Sequence, residues 1–157
     1  MRVRLKLELD CRPDAAWDII RSPAAFRAVA APLMVIRSRE PGGFPERWGT
    51  GAHRVSVWLL GVIPLGQQVI DLSFTEHRGA QLMVDAGGPV SGALAAITRW
   101  RHQMAVSPSR RESGTLYRDQ LEFGAGRVGV LLWPVLWVFW QVRGVGIRRL
   151  AARMPRA

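Results

Sequence analysis

Residues 2–9 alternate strictly. Val3, Leu5, Leu7 and Leu9 fall on one side, and Arg2, Arg4, Lys6 and Glu8 on the other. A period of two with one apolar face predicts a strand half buried against a core. The pattern then breaks. Arg12-Pro13-Asp14 predicts a helix start, because proline suits the first helical position and an aspartate favours the positive helix end. That helix is short, about 13–21. Ser22-Pro23 stops it and caps a second one, about 23–30, which Pro32 ends.

Strand patterns then resume. Residues 33–39 read as a strand, and Pro41-Gly42-Gly43 with Pro45 as a loop. From about Trp48 a strand sets Val55, Val57 and Leu59 against Arg54, Ser56 and Trp58. Residues 61–66 read as an apolar connection. The next strand sets Ile70, Leu72 and Phe74 against Asp71, Ser73 and Thr75, and Arg78-Gly79 turns it. Residues 80–86 are another strand, ended by Gly87-Gly88-Pro89 and Gly92. Two more strands follow, about 94–106 and 115–123. After Phe123 the period changes. Trp133, Trp137 and Trp140 stand at i, i+4 and i+7, one face of a helix that starts near Gly126 and runs towards Arg153. Pro134 should kink it, and Gly144 and Gly146 should weaken its middle.

The order is strand, two short helices, six strands, one long helix, with no linker, so one domain is expected over residues 1–157. Consecutive strands with short links imply an antiparallel sheet. A single long apolar helix must bury its face on that sheet. The expected class is α+β, with about seven strands curled around the C-terminal helix.

On four segments the chain resembles the START-related superfamily, also described as polyketide-cyclase/dehydrase-like or Bet v 1-like. They are Arg12-Pro-Asp-Ala-Ala-Trp-Asp-Ile-Ile20, Trp48-Gly-Thr-Gly51, Tyr117-Arg-Asp-Gln-Leu-Glu-Phe123, and the glycine-containing lead into the last helix. The resemblance covers nearly the whole length. It implies a helix-grip fold with a hydrophobic cavity between sheet and last helix. Members bind lipids, sterols, polyketides or plant-hormone-like molecules, and some are cyclases. The superfamily has no universal catalytic residue to carry over. The last helix here is richer in Trp than the resemblance leads one to expect.

Charge changes the picture little. The net charge is +10, and Lys6 is the one lysine among 22 basic residues. The basic residues are scattered, which fits a solvated arginine-rich surface better than a nucleic-acid footprint; the other reading is an anionic membrane. Cys11 is the single cysteine, so no intrachain disulfide is available. With no apolar leader in residues 1–10, the expected location is the cytoplasm, with membrane association as an added possibility. Residues 128–142 carry no charge. That run is shorter than the ~20 residues of a span, so it reads as a buried helix, with interfacial membrane contact and then a true span as the alternatives.

The candidate chemistry is polar and sparse. In strand 94–106, Arg99, Arg101 and Gln103 suit solvent, so Trp100, His102, Met104 and Val106 face inward. In strand 115–123, Arg118, Gln120 and Glu122 suit solvent, so Tyr117, Asp119, Leu121 and Phe123 face inward. A turn centred between Arg110 and Arg111 would set His102 opposite Asp119 and Met104 opposite Tyr117. Such a pair could do acid–base work, orient the polar end of a ligand, or be a satisfied core pair. His53 shares a face with Val55 and Val57, and His77 reads as an exposed turn residue. Candidate ligand contacts are therefore His53, Val57, Trp100, His102, Met104, Tyr117, Asp119, Leu121 and Trp137, with His102 and Asp119 as catalytic candidates. No histidine pair has ligand spacing, so neither metal nor cofactor is expected. The readings that follow are a carrier or sensor of a hydrophobic small molecule, a cyclase, aromatase or dehydratase using His102 and Asp119, or a peripheral membrane protein using the Trp-rich helix.

Overall fold

The alternation of residues 2–9 becomes strand β1 (Arg2–Leu9), whose apolar side chains are buried and whose charged ones are exposed. The computed structural model describes residues 1–109 and 114–154. Helix α1 (Pro13–Ile20) starts with its proline in the first turn. Helix α2 (Pro23–Ala30) is capped by Ser22, whose Oγ accepts the Ala25 N–H at 3.2 Å. Then come β2 (Met34–Ser38), β3 (Gly51–Leu59), β4 (Ile63–His77), β5 (Ala80–Asp85), a two-residue β6 (Gly88–Pro89), β7 (Arg99–Pro108) and β8 (Thr115–Gly124). A 3-10 turn at Gly126–Val128 leads into helix α3 (Gly129–Ala151).

The strands form one antiparallel sheet in the order β1-β8-β7-β5-β4-β3-β2, with β6 added beside β4. Helix α3 packs on β1 and α2. This is the expected α+β helix grip: a curved sheet holding a long helix. The core lies between them, and Trp48, Trp140, Tyr117, Phe123 and Leu121 are its largest fully buried side chains. Each such side chain stabilises the fold by roughly 1.5–3 kcal/mol.

Several expectations need correction. The strand expected from residue 94 begins at Arg99; Gly92, in a left-handed conformation, instead starts a 3-10 turn at Ala93–Ala96, closed by Ala95 N–H to the Gly92 carbonyl. Trp48 precedes β3 and is buried in a loop, where its N–H donates to the Arg21 carbonyl at 2.8 Å. The connection expected at 61–66 is shorter, because β4 already starts at Ile63. The register of β7 and β8 is two residues from the expected one: His102 faces Leu121, and Met104 faces Asp119. The turn residues Arg110 and Arg111, on which that expectation rested, lie outside the described residues.

The last helix is one continuous run through Pro134, Gly144 and Gly146. A Cβ added to Gly144 would sit 2.9 Å from Leu5 Cδ2, and one on Gly146 would sit 3.1 Å from Val29 Cβ. The two glycines let α3 lie close on β1 and α2, and that packing outweighs their low helix propensity.

Gly66 has a different job. Val57 pairs with Gly66 and Trp58 with Pro64, so Leu65 is the extra residue of a bulge. Gly66 adopts φ 134°, and an added Cβ would lie 1.9 Å from the Ser91 carbonyl oxygen. Gly66→Ala should therefore lower unfolding stability by about 2–4 kcal/mol in urea denaturation. Gly49→Ala, where a Cβ meets nothing within 4 Å, should change it by less than about 0.5 kcal/mol. Equal stabilities for the two variants would contradict this account of the β4 bulge.

Candidate functional site

A cavity of about 120 Å³ lies between the inner face of the sheet and the three helices. Apolar side chains make most of its wall, among them Val57, Ile70 and Met104 from the sheet and Leu136, Phe139 and Ile147 from α3. Four polar residues join them: Gln68, Asp85, His102 and Arg143. An apolar cavity of roughly 150 Å³ holds a benzene ring, so this one, slightly smaller, is close to the size of a single ring.

A buried carboxylate stands behind the His102 wall. Asp119 Oδ1 accepts from His102 Nε2 at 2.7 Å and from the Trp140 indole N–H at 2.8 Å. Its Oδ2 accepts from the Tyr117 hydroxyl at 2.7 Å, and the Arg143 guanidinium stands 3.7 Å away. The donors come from β7, β8 and α3, so one carboxylate ties the last helix to the sheet. Facing an ionised carboxylate, His102 must carry its proton on Nε2. Burial by itself would raise the Asp119 carboxyl. The charge and hydrogen bond of His102, the Arg143 charge and the Trp140 N–H overrule it and hold the group below the usual carboxylate range. Burial also pushes the Tyr117 hydroxyl well above its ordinary value, and the Asp119 charge adds to that.

Asp85 is the second buried carboxylate. It accepts the backbone N–H groups of Asp71 (2.9 Å) and Gly87 (3.0 Å) and the Trp100 indole N–H (3.0 Å). Burial raises its carboxyl above the ordinary value, against the His102 charge and these hydrogen bonds. With three donors satisfied, Asp85 holds Trp100 against the cavity and pins the turn after β5.

Arg143 is different. It is 4% exposed and lines the cavity, yet its Nε has no hydrogen-bond partner. Its guanidinium lies 5.5 Å from the Trp140 ring centroid and 6.0 Å from that of Phe26. A buried donor without a partner costs free energy. Here the unmet donor belongs to a residue of the cavity wall, while the Nε atom itself is enclosed.

The structure brings only some of the candidate residues to the cavity. Val57, Trp100, His102 and Met104 line it. His102 and Asp119 share the inner face of the sheet despite the shifted register, because diagonal neighbours on adjacent strands remain within side-chain reach. Tyr117, Asp119 and Leu121 are buried but do not line the cavity. His53 packs against the Trp48 ring, centroids 4.9 Å apart, outside the lining. Trp137 corrects an expectation: it is 44% exposed, as Trp133 is 40%, while Trp140 is buried. The three tryptophans do form a stripe, but it flanks the buried one, which runs through Leu136, Phe139, Arg143 and Ile147. With apolar residues on both sides, the period alone does not say which stripe is covered. Arg143 is not singled out by the sequence for a similar reason, since an arginine bounding an apolar run reads as its solvent-facing end. Among the described residues, no three His, Cys, Asp or Glu side chains cluster as metal ligands would.

The depressed Asp119 carboxyl fixes the sign of an acid effect. The folded value lies below the unfolded value of about 3.9, so the stabilisation is complete above that value and is lost as pH falls through the folded one. Asp119→Asn should cost about 2–4 kcal/mol near neutral pH, and the gap to the parent protein should narrow below about pH 4. Urea denaturation at a series of pH values checks this. A gap that stays constant to pH 2 would mean that the carboxylate charge does not carry the stabilisation.

No family model and no curated protein sequence matches the chain. Solved structures do match it. The Zhui aromatase/cyclase from Streptomyces is 12% identical, with a TM-score of 0.67 over 100% of this chain and 96% of that one. Norcoclaurine synthase from Thalictrum flavum, solved with dopamine and hydroxybenzaldehyde, is 10% identical, with a TM-score of 0.67 over 100% and 89%. A structural-genomics protein from Chromobacterium violaceum is 12% identical, with a TM-score of 0.64 over 96% of both chains. At such identities the likeness speaks to fold. The sheet order, the gripped last helix and these neighbours together give the chain a helix-grip fold, shared with the Zhui aromatase/cyclase and norcoclaurine synthase.

Proposed function

We propose that the chain binds a hydrophobic small molecule in the cavity between sheet and α3, as a carrier or sensor. One observation carries the reading: an apolar cavity includes in its wall a buried arginine whose Nε–H has no partner. Ligand sites commonly combine apolar walls with a few polar groups that fix orientation. The ligand this wall favours is a compact apolar body, ring-sized where it enters, with one acceptor oxygen for Arg143. His102, held by Asp119, offers a second polar contact on the same wall. That the neighbours include an enzyme solved with an aromatic aldehyde and an aromatase/cyclase supports this class of ligand.

The second reading is an enzyme of the cyclase, aromatase or dehydratase type. It is favoured by the placement of His102: its ring lines the cavity while its Nε2 is bonded to a buried carboxylate. A histidine oriented in this way can act as a general acid or base towards a bound substrate. Asp119 would then act through His102, as a positioning residue.

Acetophenone and ethylbenzene separate the elements of the binding reading, because they differ by a carbonyl oxygen on nearly the same shape. Calorimetric titration should show acetophenone bound roughly tenfold more tightly, since one hydrogen bond to a charged donor adds about 1.5 kcal/mol. Met104→Trp should abolish binding of both by filling the cavity. His102→Gln should keep most of the affinity in a carrier, whereas in an enzyme it would remove turnover. Absence of binding by either compound, or unchanged binding in Met104→Trp, would refute the cavity reading.

A further inference from the structure

Three stretches of thirteen or more residues carry no charge: 55–70, 86–98 and 128–142. Each contributes to the cavity wall, for instance through Gln68, Leu94 and Leu136. Each also continues outward into exposed apolar side chains. Val62, in the β3–β4 turn, is 71% exposed and Val90, just after β6, is 58% exposed. On the amino-terminal half of α3, Leu131 is 73% and Val135 57% exposed, and Trp133 and Trp137 are partly exposed on the same half. The first two stretches touch, since the Ser91 carbonyl lies against Gly66. Only 22% of the most apolar window of α3 is buried.

The charge beside the amino-terminal half of α3 is basic. Of the six arginines after Phe123, Arg127 stands at this end, whereas Arg143 is buried on Asp119 and Arg148 and Arg149 lie in the last turn of α3 beside Glu8 and Asp10. Arg127 is exposed just before α3. The Arg99 side chain lies over Gly124, where a Cβ would be 3.3 Å from its Nε. The Trp133 indole N–H donates to the Arg2 carbonyl at 2.9 Å, which brings the start of β1 alongside; there Glu122 is paired with Arg2. The whole chain carries +10.

We propose that this uncharged, arginine-flanked rim around the cavity is a docking face for an anionic lipid bilayer. Aliphatic side chains would enter the headgroup boundary, Trp133 and Trp137 would sit at the polar–apolar boundary, and the arginines would meet lipid phosphates and carboxylates. A protein partner would not need the consistent positive sign; a bilayer rich in anionic lipid does. Residues 126–151 are long and apolar enough to cross a membrane by length and composition. A span, however, would pull Trp140 and Arg143 away from Asp119 and leave that buried carboxylate without two of its partners. The helix therefore docks lengthwise while its second half stays on the sheet. This holds whatever the cavity binds.

The test is sedimentation of the full chain with vesicles of phosphatidylcholine alone, or with about 30% phosphatidylserine, at about 0.1 M and 0.5 M salt. Binding to the anionic vesicles should exceed that to neutral ones by roughly tenfold at low salt, and should fall by a similar factor at high salt. Leu131→Glu combined with Val135→Glu should reduce binding roughly tenfold or more with an unchanged thermal midpoint, both side chains being exposed. Val62→Glu, on a separate element, should also reduce it. Equal binding to both lipids, or unchanged binding in both sets of variants, overturns the proposal. So does light scattering that shows a dimer which Leu131→Glu with Val135→Glu returns to monomer, since a second copy then covers the face. Recovery only in carbonate-resistant membranes overturns it in favour of a span.

Discussion

The ionised carboxylate of Asp119 is the constraint around which this fold is organised. It is fully buried, and a charge in such a place is tolerable only when paired and hydrogen-bonded. Its partners come from three elements: His102 on β7, Tyr117 beside it on β8, and Trp140 with Arg143 on α3. Satisfying the carboxylate fixes how far α3 can slide along the sheet and which of its faces looks inward. Gly144 and Gly146 supply the close approach that makes the geometry possible, through Leu5 and Val29.

The same arrangement leaves the cavity. Asp119 uses one edge of His102, and Trp140 spans from the carboxylate to the Trp100 ring, centroids 6.4 Å apart. Arg143 is drawn inward by Asp119 and by the aromatic faces of Trp140 and Phe26, but its Nε stays unpaired. A group buried to complete a structural network thus keeps one donor unpaired beside the cavity. Asp85 has no such surplus, because both its oxygens are taken.

Much of the fold was legible in the sequence, because a strand with one buried face states its period openly. The alternation of β1, the Pro-Asp start of α1 and the Ser22 cap all appear in the structure where the residues placed them. The inward set Trp100, His102, Met104 and the set Tyr117, Asp119, Leu121 followed from the polar residues between them. Their register did not, since it depends on the turn that joins the strands. A two-residue shift keeps the facing pattern, which is why His102 still reaches Asp119. The last helix was the least legible element. Its first half is apolar on nearly every side, so no polar face marks the exposed stripe, and Trp137 is on the surface where Trp140 is not. Arg143 shows the complementary failure: its role comes from a carboxylate 24 residues earlier, a contact that no local pattern encodes.

A heteronuclear NMR titration that follows the Arg143 Nε–H and the Trp140 indole N–H during acetophenone addition tests the central claim most directly. If Asp119 keeps its donors while Arg143 offers a spare one, the Arg143 resonance should shift with saturation and the Trp140 resonance should hold its hydrogen-bonded position. A Trp140 resonance that loses that position, or an Arg143 resonance that does not move while the ligand binds, would contradict the division between a structural carboxylate network and a free cavity donor.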